Sequence, residues 1–353
     1  MDNRNSKTEQ KRRVTLEDVA RDAGLSRSTV SLVLRGSSAP SQRAVNAVFG
    51  SIQRLGYVYN RTAANLRTQT THTIGLIIPN IENRFFAEFT VSAELELDRA
   101  EQTVILAHTS ESVARQQKAI AMMLEHNVDG ILICPAPNTR RVNVQPLIQS
   151  AKPVVCVSRR MPGGPWRYVA QDNVTGSRMA VEHLVQLGHK RIAFVGGYPN
   201  TSAYHERLSG FREGMVRAGI AVDERIVFPG ENSFEGGFRT APRLCALADR
   251  PTAVCCFNDM TALGFMKGLE SCGLLPGVDI AVVGFDDILE AAVWQPSLST
   301  VRSRASVVGC EAARTLMRAI AEEATPDEEI LVAVDLVVRR SSGSSPVSAA
   351  EQS

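Results

Sequence analysis

The run Val14-Thr15-Leu16-Glu17-Asp18-Val19-Ala20-Arg21-Asp22-Ala23-Gly24-Leu25-Ser26-Arg27-Ser28-Thr29-Val30-Ser31 places two helix starts around one helix stop. Leu16, Val19, Ala20 and Ala23 recur at helical spacing on one face, and Thr15 with Asp18 three residues on is an N-cap signal. Gly24 ends that pattern, and Ser26 can cap a second helix carrying Val30, Val33 and Leu34. Beyond a Gly36–Pro40 loop, a third helix starts at Ser41, presents Val45, Val48, Ile52 and Leu55, and stops at Gly56. Two helices about a glycine turn with a third packed across them predict a helix-turn-helix unit. A generic three-helix packing module is the competing reading, and charge argues against it. Residues 1–70 hold twelve Lys and Arg against five Asp and Glu, whereas the whole chain is only +2. A basic head on a mildly acidic body suits a polyanionic partner. The arginines at 21, 27, 35, 43, 54, 61 and 67 are spread over periodic segments instead of forming one solvated arm.

Residues 1–13 are polar and without periodicity, which predicts a disordered arm. Residues 59–71 form a polar connector that can be helical from Asn60 to Arg67. Leu66 is almost its only large apolar group, so it has no reason to be a stable helix alone. From His72 the texture changes to short apolar runs (Ile74–Ile78, Val104–Ala107, Gly130–Ile133, Val154–Val157) alternating with amphipathic stretches such as Phe85–Ala100 and Val113–Glu125. The rhythm repeats at Arg191–Val195, Ile226–Phe228, Ala253–Phe257 and Ile280–Val283. Near-continuous apolar strands between helices predict two successive α/β halves with parallel sheets covered on both faces. The small polar tail at 341–353 has no leucine heptad and reads as disordered.

Composition excludes several classes. No apolar stretch reaches the ~18–20 residues needed to span a bilayer, and the first fifteen residues lack a secretory apolar core. Seven cysteines without metal spacing, several in apolar runs, read as reduced core residues of a cytoplasmic chain. No dinucleotide or phosphate-binding glycine loop, nucleophile elbow or HExxH motif occurs, so no enzyme, cofactor or metal site is expected. Asp286-Asp287 is a carboxylate pair, but adjacent strand-end residues usually point apart.

These residues resemble the lactose-repressor (LacI/GalR) family. The resemblance lies in the opening run, in Leu55-Gly56-Tyr57-Val58-Tyr59-Asn60-Arg61-Thr62-Ala63-Ala64-Asn65-Leu66, and in four stretches of the body. Those are Leu187–Ala193, Arg207-Leu208-Ser209-Gly210-Phe211, Asn258–Gly264 and Val283-Gly284-Phe285-Asp286-Asp287. It spans about residues 14 to 340, and Val30–Leu34 is most similar to the maltose-regulon repressor subgroup.

The resemblance implies an α/β fold: a three-helix head at 14–58, a hinge at 59–71, and two doubly wound parallel-sheet subdomains at 72–340, periplasmic-binding-protein-like. It places the N-subdomain at about 72–169 and 299–328 and the C-subdomain at about 170–298 and 329–340. It further implies a repressor that grips a palindromic operator in double-stranded DNA as a homodimer, under control of a small effector, a sugar or sugar derivative. Thr15 and Leu16 match phosphate-holding positions, and Arg27, Ser28, Ser31 and Leu32 match positions facing the bases. Ser26 and Thr29 suit phosphate contacts, Arg27 can fork onto a guanine, and Leu32 stands where the lactose repressor has an arginine. Asn60–Arg67 would fold on operator DNA, with Leu66 as a minor-groove wedge; Tyr59 replaces a proline common there.

In the body, Phe86, Arg207, Asn258 and Asp286 match effector residues. Strand ends are where open α/β sheets bind ligands. Asn258 and Asp286 have a structural alternative as helix or turn caps, and Phe86 as core. Ser158-Arg159-Arg160 stands where many sugar-binding relatives have an aspartate. Asn232 stands near a stacking aromatic of others, for which Phe228, Phe234 or Trp294 could substitute. A solute receptor for transport would share the body plan but has no use for residues 14–67, so the head decides for a regulator.

Overall fold

The computed structural model describes residues 14–34, 37–57, 70–323 and 325–343, which divide into two compact units between Thr71 and His72. In the first, α1 (Leu16–Ala23), α2 (Arg27–Leu34) and α3 (Gln42–Leu55) pack around Val19, Val30, Val33 and Val48. Caps set the helix ends. Thr15 Oγ1 accepts from the Asp18 amide at 3.3 Å while the Asp18 carboxylate accepts from the Thr15 amide at 2.9 Å, a reciprocal capping box. Gly24 and Gly56 close α1 and α3 at φ of 65° and 63°, where a β-carbon is penalised. Ser51 is fully buried and donates to the Val19 carbonyl at 3.2 Å, tying α3 to α1. The expected arm at 1–13 and nearly all of the expected hinge, Asn60 and Leu66 included, lie outside the described residues.

The second unit holds two six-stranded sheets. The first consists of β1 (Thr73–Ile78), β2 (Thr103–His108), β3 (Gly130–Ile133), β4 (Val154–Val157), β5 (Arg167–Gln171) and β11 (Glu329–Val332), in the order β11-β5-β4-β3-β1-β2, all parallel. The second consists of β6 (Ile192–Val195), β7 (Val227–Phe228), β8 (Ala253–Cys256), β9 (Ala281–Asp286), β10 (Ser299–Arg302) and β12 (Asp335–Val337), in the order β12-β10-β9-β8-β6-β7. Only its β10–β12 pair is antiparallel.

Apolar runs without alternation arise because each sheet is covered twice. Ile74, Leu76 and Ile78 of β1 pack with α4 (Arg84–Arg99) and α12 (Ala305–Ile320). Ile77, pointing the other way, packs with α5 (Val113–Glu125). In the second lobe Ile192 and Phe194 face α7 (Asn173–Gln186) and α8 (Ser202–Arg217), while Ala193 and Val195 face α9 (Phe234–Cys245) and α10 (Asp259–Ser271). Among the described residues no helix is long and apolar enough to cross a membrane.

Three expectations need correction. The crossings between lobes fall after Gln171, Arg302 and Val332, two to four residues beyond the expected positions near 169, 299 and 328. Thus β10 belongs to the second sheet and β11 to the first. β10 reads Ser-Thr-Val-Arg, and its hydroxyls are taken by buried partners: Thr300 donates to Asp259 at 2.5 Å and Ser299 to the Arg339 carbonyl at 2.9 Å. A strand satisfied that way lacks the apolar run by which strands are recognised. The tail does not begin at Ser341, because Arg340–Ser342 form a 3-10 turn with Ser341 and Ser342 buried. Ser341 Oγ donates to the Val282 carbonyl at 2.6 Å and accepts from the Ser299 amide at 2.8 Å. Finally, Cys272 is exposed instead of in the core, although Cys134, Cys156, Cys255 and Cys256 are buried.

Ser341→Ala would orphan two buried backbone groups, so the variant is expected to lose about 1–3 kcal/mol of stability. Urea denaturation measures this; an unchanged midpoint would show that the C-terminal turn is not part of the folded body.

Candidate functional site

The two lobes of the second unit enclose a cleft of about 280 Å³, and Phe86, Arg207, Asn258 and Asp286 all line it. Phe86 comes from the first turn of α4 and is only 8% exposed, so it is a core residue whose ring also forms a wall of the cleft. Asn258 is the N-cap of α10: its Oδ1 accepts from the Thr261 amide at 3.0 Å, leaving Nδ2 as the group available to a ligand. Both structural alternatives for these residues therefore hold alongside their place in the cleft.

Arg207 does not follow a strand directly, as the strand-end argument supposed, but reaches in from α8. It is 4% exposed, and each of its three nitrogens has a protein group beside it. Nε donates to Asn173 Oδ1 at 2.8 Å, Nη1 donates to the Phe257 carbonyl, and Nη2 lies 3.5 Å from Asp286 Oδ1. The Phe285 and Phe257 rings sandwich it at 3.7 and 4.5 Å from their centroids. Burial lowers its basicity, and Asp286 opposes that.

Asp286 ends β9 at φ 126°, followed by Asp287 at φ 59°, two consecutive non-glycine residues in a costly backbone region. Buried Asp259 holds this turn from beneath, accepting from the Ile288 amide at 2.9 Å and the Thr300 hydroxyl at 2.5 Å. Arg302 and Arg339 each pair with Asp287 at 2.7 Å. Burial pushes the Asp286 carboxyl up to about 7 against the pull of Arg207, with Asp259 adding to the rise. Burial likewise raises Asp259 to about 6, against its Thr300 and Ile288 hydrogen bonds. Asp286 Oδ1 has no hydrogen-bond partner among the described residues, since Arg207 stands just too far for a good one.

Sequence reasoning missed the other half of the site. Arg159, 5% exposed, forks onto Glu111 with contacts of 2.6 and 2.8 Å and donates to the Pro135 carbonyl at 3.2 Å. Arg159 follows β4 almost directly, so the strand-end rule would have found it had Ser158-Arg159-Arg160 been read for what is present. Gln171 closes β5 and also lines the cleft, and Ser158 donates to its Oε1 at 3.3 Å. Of the aromatics named as substitutes, Phe234 lines the cleft, Trp294 backs it with ring centroids 6.4 Å apart, and Phe228 is core.

In the head, Ser26, Arg27 and Ser28 are exposed at the start of α2, and Thr29, Ser31 and Leu32 are half-buried. Ser26 Oγ accepts from the Thr29 amide at 3.1 Å and lies 2.7 Å from Ser28 Oγ. Arg27 and Ser31, four residues apart, lie together on the helix surface beside the buried stripe of Val30 and Val33. Thr15 is exposed, whereas the Leu16 side chain packs on the head core and leaves only its backbone for a phosphate.

A helix-turn-helix head and a two-lobed binding body in one chain define a ligand-responsive transcription regulator. Residues 15–60 match the family of bacterial regulatory proteins of the lacI type, and residues 181–342 match a periplasmic binding protein-like domain. The transcriptional regulator GalR of Escherichia coli K12 is 31% identical over 333 residues, covering 94% of this chain and 96% of its own. The repressor PurR of Photobacterium profundum is 30% identical over 328 residues, covering 93% and 98%. Among solved structures, the Lac repressor dimer bound to operator and the anti-inducer ONPF superposes with a TM-score of 0.83 at 26% identity, covering 94% of this chain and all of that one. The CelR–cellobiose complex superposes at 0.72 with 30% identity, covering 93% of this chain and all of that one. The chain belongs to the LacI family.

The raised carboxyls make stability depend on pH in a defined direction. Asp286 and Asp259 titrate near 7 and 6 in the fold against 3.8 for an unperturbed aspartate, so the folded state holds more protons between about pH 4 and 7. Their contribution is complete below the lower value and is lost as pH rises through the upper one. Asp286→Asn should therefore flatten the decline in stability between pH 5 and pH 8. Denaturation midpoints at both pH values test this, and equal slopes for variant and wild type would refute the buried, raised carboxyl.

Proposed function

We propose that this chain is a cytoplasmic repressor without catalytic activity, binding a palindromic operator as a twofold dimer and switched by a carbohydrate effector in the interlobe cleft. One observation carries the reading: Arg207, Asn258 and Asp286, far apart in sequence, converge with Phe86 on a single cleft between the lobes. A guanidinium, an amide and a carboxylate beside aromatic faces can grip vicinal hydroxyls and the apolar side of a sugar ring. The names of the relatives point the same way, one solved with cellobiose and another as an operator-bound dimer.

At the DNA, Arg27 with Ser28, Ser31 and Leu32 would face base edges. Thr15, Leu16, Ser26 and Thr29 would fix register on phosphates. Asn60 and Leu66 would form the hinge that enters the minor groove. The effector acts by preferring one arrangement of the lobes; without such a difference in affinity it could not shift DNA binding at all.

Arg27→Ala is expected to relax specificity at one base pair per half-site, costing about 1–3 kcal/mol on the consensus operator. A uniform loss across all sequences would reassign Arg27 to phosphate. Asp286→Asn should weaken effector binding about 10- to 150-fold while leaving effector-free operator affinity nearly unchanged. Calorimetric titration with and without operator tests this. Because coupling is reciprocal, a wild-type effector affinity that ignores the operator would remove the sensor role for that ligand.

A further inference from the structure

The charges in the cleft are arranged in a way that restricts what can enter it. Two cations line it, Arg159 and Arg207, and each already has a carboxylate beside it. Glu111 takes both terminal nitrogens of Arg159 at 2.6 and 2.8 Å, and Asp286 stands 3.5 Å from Arg207, whose other nitrogens are bound to protein. Glu82 and Glu235 line the same cleft, so among the described lining residues carboxylates outnumber guanidiniums.

Helix N-termini could still attract an anion, since α4, α9 and α10 all begin at this cavity. At each, one of the free amides is already taken by the cap side chain: Phe85 by Asn83, Gly236 by Ser233, Thr261 by Asn258. What the cleft leaves unsatisfied is of the opposite kind. Asp286 Oδ1 and Asn232 Oδ1 are buried acceptors with no hydrogen-bond partner among the described residues. An orphaned buried acceptor is costly until a donor arrives.

We propose that the effector carries no anionic group and presents hydrogen-bond donors to Asp286 and Asn232, as an uncharged or amino-bearing carbohydrate does, and that phosphorylated and carboxylated sugars are rejected. This rests on the cleft reading above. A phosphate or carboxylate entering the cleft meets Glu82, Glu111 and Glu235 while each guanidinium already has a carboxylate beside it, whereas a hydroxyl supplies the donor that the two orphaned acceptors lack.

The test is calorimetry and thermal shift on the full chain with matched sets. These are glucose, glucosamine, glucose 6-phosphate and glucuronate, the corresponding galactose compounds, and cellobiose. The expected result is that any sugar that binds does so uncharged or aminated, with its 6-phosphate or uronate at least about 100-fold weaker. An anionic member binding as tightly as its parent, in a manner abolished by Asp286→Asn, overturns this inference and leaves the cleft reading intact. Binding that survives Asp286→Asn and Arg207→Lys unchanged, or no sugar binding in any charge state, overturns the cleft reading itself.

Charge can also be edited directly. Glu111→Gln frees the Arg159 guanidinium and should raise affinity for glucose 6-phosphate at least about 10-fold. Glu235→Gln, at an exposed position, should give a smaller gain without touching a buried pair. If both variants fold and neither gains, charge is not what excludes the anion, and the inference fails.

Discussion

The body depends on how one buried cation is satisfied. A guanidinium taken out of water is tolerated only if its hydrogens and its charge all find partners. Arg207 finds them on three different elements: Asn173 at the start of α7, the Phe257 carbonyl after β8, and Asp286 at the end of β9. Two aromatic rings cover its faces. Asn173 in turn donates to Glu206 at 2.7 Å and accepts from Gln171 at 3.2 Å, so the network reaches the last residue of the first lobe's β5. One side chain thereby joins the floor of the cleft to the first place where the chain changes lobes.

The turn at Asp286–Asp287 extends that connection to the second crossing. Ser303, the first residue beyond β10, donates to the Asp286 carbonyl at 3.2 Å, while Arg302 and Arg339 hold Asp287. The carboxylate that faces the cavity therefore belongs to the same short segment that anchors β10 and the residues beyond β12. Between the lobes, Arg84 meets Glu290 at 3.0 Å, Asn200 donates to Asn138 at 2.6 Å, and the Arg160 amide donates to Ser202 at 2.8 Å. These exposed polar links are individually weak. They suit a closure that must be reversible, with the firm interactions kept at the hinge side.

Much of this was readable in the sequence, for reasons that differ by element. Thr15, Gly24, Ser41 and Gly56 mark the helix ends of the head because capping is local chemistry visible within four residues. The central strands were legible because burial on both faces demands unbroken apolar runs. β10 was not, since its Ser-Thr-Val-Arg does not differ in composition from a loop, and β5, β11 and β12 carry apolar runs of only two or three residues. The Arg207–Asn258–Asp286 set could be named because its residues sit in distinctive stretches. Arg159, just beyond β4, was within reach of the strand-end rule, whereas Glu111 lies in a polar loop with nothing local to mark it as its partner.

The crossings also set the order in which the chain can fold as it is made. The first lobe begins at β1, yet its sheet lacks an edge strand until residues 329–332 are available and a covering helix until 305–320. The second lobe waits for Asp335–Val337 and for Ser341. Neither lobe is a contiguous stretch, and such non-local pairing is slow and leaves apolar surface uncovered meanwhile. The head needs only local contacts within residues 14–57. During synthesis the DNA-reading module can therefore be complete while its sensor is still unfinished, and the emerging sheets must be shielded until the last crossing has been made.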